Sequence, residues 1–97
     1  MLDIVTLDEA KAYLRVDYSD EDSVIESILQ TAQVLCRDVA RLSSADWDTV
    51  SDDVKPLLRG AVLYALGYLS EHREEADHSD LNLTLRSLLF SIRERVL

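Results

Sequence analysis

Apolar residues recur along most of the chain at the three- and four-residue spacing of amphipathic helices. After residue 20 this spacing predicts a long second helix, which we expect to begin at Ser19 or Asp20. Its apolar positions fill less than half of the helical circumference: Val24, Ile25, Ile28, Leu29, Ala32, Leu35, Cys36, Val39 and Leu42. The opposite face is polar apart from one valine, and it holds Glu26, Gln30, Gln33, Val34, Arg37 and Arg41.

Two shorter amphipathic segments flank this pattern at the ends of the chain. Thr6 followed by Glu9 three residues later has the form of a capping box, so a short first helix should begin there and end near residues 15–16. A last amphipathic helix should run to the C-terminus, after a charged connector over residues 71–80. Its apolar positions are Leu81, Leu85, Leu88, Leu89, Ile92 and Val96.

The segment between the second and the last helix is the most apolar part of the chain. Residues 43–49 break the helical pattern and predict a loop, in which Trp47 should pack back on the core and not bind a ligand. A third helix should be capped by Ser51 or Asp52, with Pro56 in its first turn, where no backbone N–H is needed. The stretch 60–70 has no charge, but its eleven residues are too few for a bilayer. It therefore predicts a helix that is buried on most sides.

Gly60 and Gly67 both lie within this third helix, although glycine costs about 1 kcal/mol relative to alanine at such a position. The two residues are seven apart and so share one face, with Tyr64 between them. We expect another helix to approach that face closely.

These elements predict an all-α fold: a small bundle of about four helices with a long second helix and a buried apolar third helix. Two glycines and one proline in 97 residues are too few for the turns of a β-sandwich or barrel. The apolar fraction of 47% is too high for a disordered tail. The length allows one modest core, so we expect residues 1–97 to form a single domain.

The net charge of −9 disfavours sequence-independent DNA binding, because such a surface repels phosphate as a whole. The charge is also uneven along the chain. Residues 1–30 carry eight acidic side chains against two basic ones, whereas residues 81–97 carry Arg86, Arg93 and Arg95 against Glu94. In a protein that assembles with itself, opposite charge at the two ends favours head-to-tail contact.

The sequence offers little catalytic or metal-binding chemistry. It has no glycine-rich phosphate loop, no paired cysteines and no nucleophile elbow. His72 and His78 are six residues apart, whereas helical zinc ligands are usually three or four apart, so a solvated segment is favoured over a metal site. Cys36 lies at an apolar position and is interpreted as a small buried hydrophobe. We therefore expect no enzyme activity, no cofactor and no metal.

The opening of the chain resembles that of the head–tail connectors of tailed phages, the adaptors of the HK97 type. The resemblance rests first on Leu7, Glu9, Ala10 and Lys11, then on Leu14, Arg15 and Asp17, and then on the acidic start of the long helix at residues 20–22. It continues through Ala32 and the apolar helix 54–69, and into residues 68–74, which are similar to the family's aromatic-to-His-Arg-Glu ending. Residues 88–93 look like its leucine-rich closing segment with an arginine.

This resemblance implies a structural adaptor of a phage, prophage or phage-derived particle. Many copies would form a ring beneath the portal, with roughly a dozen in a closed cyclic assembly, and extend the DNA channel toward a tail-side or stopper protein. The DNA would pass without specific binding. The protein would be made in the bacterial cytoplasm and reside at the head–tail interface of the virion, with no membrane association, and nothing at the N-terminus directs export.

Two sets of residues are predicted contacts in such a ring. Val34, Arg37 and Arg41 are expected at the contact between subunits, although Val34 also fits a tolerated surface residue. Arg86, Arg93 and Arg95 are expected to contact the portal, although the last helix also fits a purely structural role in the monomer.

One alternative is a small helical DNA-binding regulator, because short helices joined by tight loops also describe helix-turn-helix domains. Its weakness is that only the last helix has a basic face and that the isoelectric point is near 4.4. A small metal-dependent enzyme is a weaker alternative, which rests on His72 and His78 alone.

Overall fold

The computed structural model describes residues 2–17, 19–72 and 78–92 of the chain. Its helices in chain order are α1 (Leu7–Leu14), α2 (Asp22–Val39), α3 (Ser44–Asp48), α4 (Lys55–Glu71) and α5 (Ser79–Leu88). The backbone is helical again at residues 90–92, and the described residues contain no strand. The predicted all-α fold is therefore confirmed, with a long second helix and a largely buried apolar helix, α4.

Helix α1 forms where its capping box predicts. The Thr6 hydroxyl accepts a hydrogen bond from the Glu9 backbone N–H, and the Glu9 carboxylate accepts one from the Thr6 backbone N–H, each at 3.3 Å. The helix ends at Arg15, whose φ of 61° is in the left-handed region and whose N–H bonds back to the last turn. The predicted end near residues 15–16 is thus confirmed.

The starts of α2 and α4 differ from the predictions. Helix α2 begins at Asp22 and α4 at Lys55, and neither has a hydrogen bond from a capping side chain. The start predicted for the second helix at Ser19 or Asp20, and the cap predicted for the third at Ser51 or Asp52, were therefore wrong. Pro56 does lie in the first turn of α4, as predicted.

The predicted loop over residues 43–49 contains the short helix α3. The Ser43 hydroxyl accepts a hydrogen bond from the Asp46 N–H at 3.0 Å, which is the N-cap that the loop interpretation missed. Trp47 packs on the core as expected and is fully buried. Its indole N–H donates to the Leu2 carbonyl at 2.7 Å, so α3 also holds the N-terminal segment.

Gln33 lies on the polar face of α2, opposite the apolar stripe, and yet it is part of the interior. Its side chain is fully buried, and its Oε1 accepts hydrogen bonds from the backbone N–H groups of Ile4 at 2.7 Å and Val5 at 3.4 Å. Its Nε2 donates to Asp3 at 3.1 Å. The buried Gln33 amide therefore satisfies backbone N–H groups in the segment before α1, which would otherwise need another acceptor.

The core lies where α2 and α4 pack together, with α1 and α5 contacting both helices. Helix α5 contributes Leu81 and Leu85, and Leu89 and Ile92 follow it into the same core. This part of the last amphipathic pattern is confirmed, while residues 93–97 lie outside the described part of the chain. No helix in residues 2–17, 19–72 or 78–92 is both long and apolar enough to span a membrane.

Candidate assembly surfaces

The predicted subunit-contact residues on α2 are only partly available. Val34 is 36% exposed, less than several other large apolar side chains of the protein. The Arg37 guanidinium donates to the Ser44 hydroxyl at 3.1 Å and pairs with Asp38 at 3.3 Å. Arg37 therefore joins α2 to the start of α3 within the chain.

Arg41 and Arg86 lie together, although the sequence assigned them to different contacts. Arg41 follows α2 with a φ of 60°, and its side chain is exposed. The two arginines line one surface groove between the end of α2 and the flank of α5, with Leu35, Asp38, Val39 and Asn82. Arg93 and Arg95, the other two predicted portal contacts, lie outside the described residues.

Among the described residues, the most exposed large apolar side chains lie on the outer side of α5 and at Phe90, two residues after the helix ends. Leu83 is 60% exposed and Phe90 is 57% exposed. They line a second, shallow groove with Arg86 and Ser87 on the side away from the core. Because α5 buries Leu81 and Leu85 at the same time, it is apolar on two faces. We call the set of Leu83, Arg86 and Phe90 the outer α5 face.

Helix α4 also has an exposed apolar strip. Leu57 is 44% exposed and Tyr64 is 42% exposed, and Gly60 lies between them on the same face. A Cβ atom added at Gly60 would meet no atom of the chain within 4 Å. We call Leu57, Gly60 and Tyr64 the α4 strip.

The two glycines of α4 differ in their surroundings. A Cβ at Gly67 would lie 3.3 Å from the Tyr13 ring, so at this position α1 makes the close approach that the sequence predicts. At Gly60 that prediction was wrong within the chain, because no helix of the described residues covers it. The space beside Gly60 is left open.

The acidic residues near these surfaces fall into two groups. Glu9 pairs with Arg59, and that hydrogen bond is the main reason why the pKa of the Glu9 carboxyl lies below its usual range. Lys11 pairs with Asp22 at 2.7 Å. Asp53 and Glu71, by contrast, are exposed at the two ends of the α4 strip, and neither has an ion-pair partner among the described residues.

The candidate chemical groups offer no assembled site in residues 2–17, 19–72 and 78–92. That part of the chain contains no group of three or more His, Cys, Asp or Glu side chains placed to hold a metal ion. The His72 ring stacks on Tyr68 at 4.1 Å between centroids, with Nδ1 2.8 Å from the Tyr68 carbonyl oxygen. Cys36 is buried as predicted, and burial raises the pKa of its thiol to about 12.

Comparison with known protein families gives a match over almost the whole chain. Residues 4–96 match the model of the phage gp6-like head-tail connector protein family. The chain belongs to this family. No curated protein and no solved structure gives a significant match to this connector. Family membership supports a structural role in the head–tail connection of a phage, in contact with other head or tail components.

The sequence interpretation did not assign either apolar surface of the connector to a contact between copies. It assigned such contacts from charge, which drew attention to arginines. On α4 it expected only that a helix approaches the face of Gly60 and Tyr64, and it left Leu83 and Phe90 out of the apolar positions of the last helix. A signal was present: Leu83 and Phe90 lie outside the buried register of α5 yet are seven residues apart, and so share a face. Leu57 and Tyr64 on α4 have the same seven-residue separation.

Proposed function

We propose that this connector is a structural adaptor that forms a ring beneath the portal of a tailed phage or phage-derived particle. The ring extends the DNA channel and joins the head to a tail-side or stopper protein. The observation that carries this proposal is the family match over residues 4–96. Its partners are further copies of itself, roughly a dozen in a closed ring, and the portal. It is made in the bacterial cytoplasm and acts at the head–tail interface of the virion.

The charge of the chain supports passage of DNA without retention. Phosphate contacts made by lysine and arginine are what hold proteins on DNA, and each contact releases condensed counterions. A chain with a net charge of −9 offers a duplex few such contacts. A channel lined by this protein would let DNA slide, because its field opposes close phosphate approach.

The exposed apolar surfaces support assembly with other protein. The outer α5 face and the α4 strip leave large side chains in water, and exposed apolar patches commonly mark sites of protein contact. The predicted subunit contact at Val34, Arg37 and Arg41 and the predicted portal contact at Arg86, Arg93 and Arg95 stay predictions.

Electron microscopy of the purified protein, alone and mixed with its cognate portal, tests the proposal. We expect rings or ring-capped portals with the axial opening aligned with the portal channel. A protein that stays monomeric and never binds the portal contradicts the proposal. Salt-dependent retention of duplex DNA in a shift assay would instead point to a DNA-binding regulator.

A further inference from the structure

The outer α5 face and the α4 strip have the same residue spacing. On the α5 side an apolar residue, Leu83, is followed by Arg86 three positions later and by Phe90 seven positions later. On α4 the apolar Leu57 is followed by Gly60 three positions later and by Tyr64 seven positions later. On α4 the set covers about two helical turns, roughly 10 Å along the helix axis. On the α5 side Phe90 lies two residues beyond the end of the helix, yet it lines the same groove as Leu83 and Arg86. Each set therefore combines an aliphatic and an aromatic side chain.

The two surfaces are complementary in shape at their centres. Arg86 stands between the two apolar residues of the outer α5 face, and at the equivalent position of the α4 strip Gly60 has no side chain. Open space surrounds the Gly60 Cα within the chain. A glycine in the middle of a helix lowers the stability of that helix, and a neighbouring group that packs into the space left by the missing side chain can offset the loss. A neighbouring helix with a long side chain at its centre fits that space.

The two surfaces are also complementary in charge. Arg86 is exposed and has no ion-pair partner among the described residues. The α4 strip carries the Tyr64 ring, and the exposed carboxylates of Asp53 and Glu71 lie beyond its two ends, roughly 10 Å and 16 Å along the helix axis from Gly60. A guanidinium opposite Gly60 is attracted by the face of that ring, and the two carboxylates add a negative field at longer range. Two copies of the α4 strip would bring no cation to the contact, and two copies of the outer α5 face packed centre to centre would bring their Arg86 side chains together.

We propose that the outer α5 face of one copy packs on the α4 strip of the next copy. This inference rests on the proposed ring function and names the surfaces through which the subunits meet. Because the two surfaces are different, the contact is heterologous, and repeating it by a fixed rotation closes a ring in which every copy uses each surface once. The charge of Arg86 by itself predicts a contact with the portal. In this arrangement Arg86 belongs instead to the contact between subunits.

A second copy is the occupant that the charges favour. The net charge of −9 makes most of the surface repel another copy, so a self-contact has to form where a basic patch can meet an acidic one. The outer α5 face supplies an arginine between two apolar side chains, and the α4 strip supplies the acidic ends. Ring closure through this one contact covers both apolar patches in every subunit.

Thiol cross-linking between variants that each carry one added surface cysteine tests the contact. Leu57→Cys and Phe90→Cys are made singly and together, and the concentrated protein is treated with a short bismaleimide. Cys36 is buried and remains unreactive in the folded protein. We expect no product from either single variant, a dimer from their mixture, and a ladder of multimers from the double variant. Val34→Cys mixed with Phe90→Cys is the matched control and should give no product.

Two further substitutions, each made in the variant that carries both Leu57→Cys and Phe90→Cys, test the shape and charge of the contact. Gly60→Leu fills the open space on the α4 strip, and Arg86→Glu reverses the charge on the outer α5 face. We expect each to lower the ladder yield by about tenfold while circular dichroism and the melting temperature show a folded protein. Arg86→Lys should keep part of the yield.

Several outcomes would overturn the inference. Cross-linking of a single variant with itself would show an isologous contact, and a product from the Val34→Cys mixture alone would move the interface to α2. If rings form on the portal while the Leu57→Cys and Phe90→Cys mixture gives no product there, the surfaces are wrong and the proposed function stands. If the mixture cross-links but the protein never binds a portal, the self-contact stands and the adaptor role fails.

Discussion

The N-terminal segment and α5 lie at opposite ends of the chain and are held to the rest of the molecule in different ways. Residues 2–5 are held by polar side chains: Gln33 binds Ile4 and Val5, and the Trp47 indole binds the Leu2 carbonyl. Helix α5 is anchored by buried leucines, and it keeps Leu83 and Phe90 in water on its other side.

The difference separates the parts of the molecule that are covered by their own chain from the parts that stay exposed to water. Around Gly67 the chain covers its own surface, because Tyr13 of α1 lies over Gly67, and the pair of Glu9 with Arg59 also joins α1 to α4. Near α5 the chain leaves apolar side chains exposed, and the Gly60 face of α4 is equally uncovered. The first region is held by contacts within the chain, whereas the second leaves apolar surface in water.

The largest expected effect separates the two faces of α5. Leu81→Ala removes a fully buried side chain and should lower the free energy of unfolding by about 2–5 kcal/mol. Leu83→Ala removes an exposed side chain two residues away and should change it by less than about 0.5 kcal/mol. Urea denaturation of both variants measures the difference. Equal losses would mean that Leu83 also supports the monomer.

An intermediate effect tests the polar anchoring of the N-terminal segment. Gln33→Leu keeps the side-chain volume but leaves the Ile4 and Val5 N–H groups without their acceptor, which should cost about 1–3 kcal/mol. Gln30→Leu on the same helix is the comparison: Gln30 bonds to the Asp3 side chain but to neither backbone N–H, so its loss should cost less and leave Ile4 and Val5 protected. Hydrogen exchange should show faster exchange at Ile4 and Val5 in the Gln33 variant. Unchanged protection there would show that the segment is held by packing alone.

The smallest effect compares the two glycines of α4. Gly60→Ala should raise the free energy of unfolding of the monomer by about 0.5–1 kcal/mol, because alanine favours the helix and its Cβ meets nothing. Gly67→Ala should gain less or lose stability, because its Cβ would lie 3.3 Å from the Tyr13 ring. Thermal melts of the two variants give the comparison. A larger gain at Gly67 would mean that Tyr13 moves aside without cost.

Local patterns were sufficient for the helices themselves. The periodicity of α2 and the capping box at Thr6 and Glu9 depend on residues three or four apart, so the sequence displays them directly. The same holds for the burial of Cys36 and of the apolar positions of α4. The family resemblance of the opening residues was also visible in the sequence, and the match over residues 4–96 confirms it.

Apart from the helix starts and caps, the places where prediction failed depend on residues far apart in the chain. Gln33 looks like a surface residue on α2 until the segment before α1 folds against it, and Arg41 and Arg86 meet only because α5 packs beside the end of α2. Helix periodicity states which residues share a face but not what covers that face. Whether Gly60 and Leu83 face a neighbour or water was decided by how α1 and α5 pack around α4, since only tertiary contacts determine which apolar surface remains exposed.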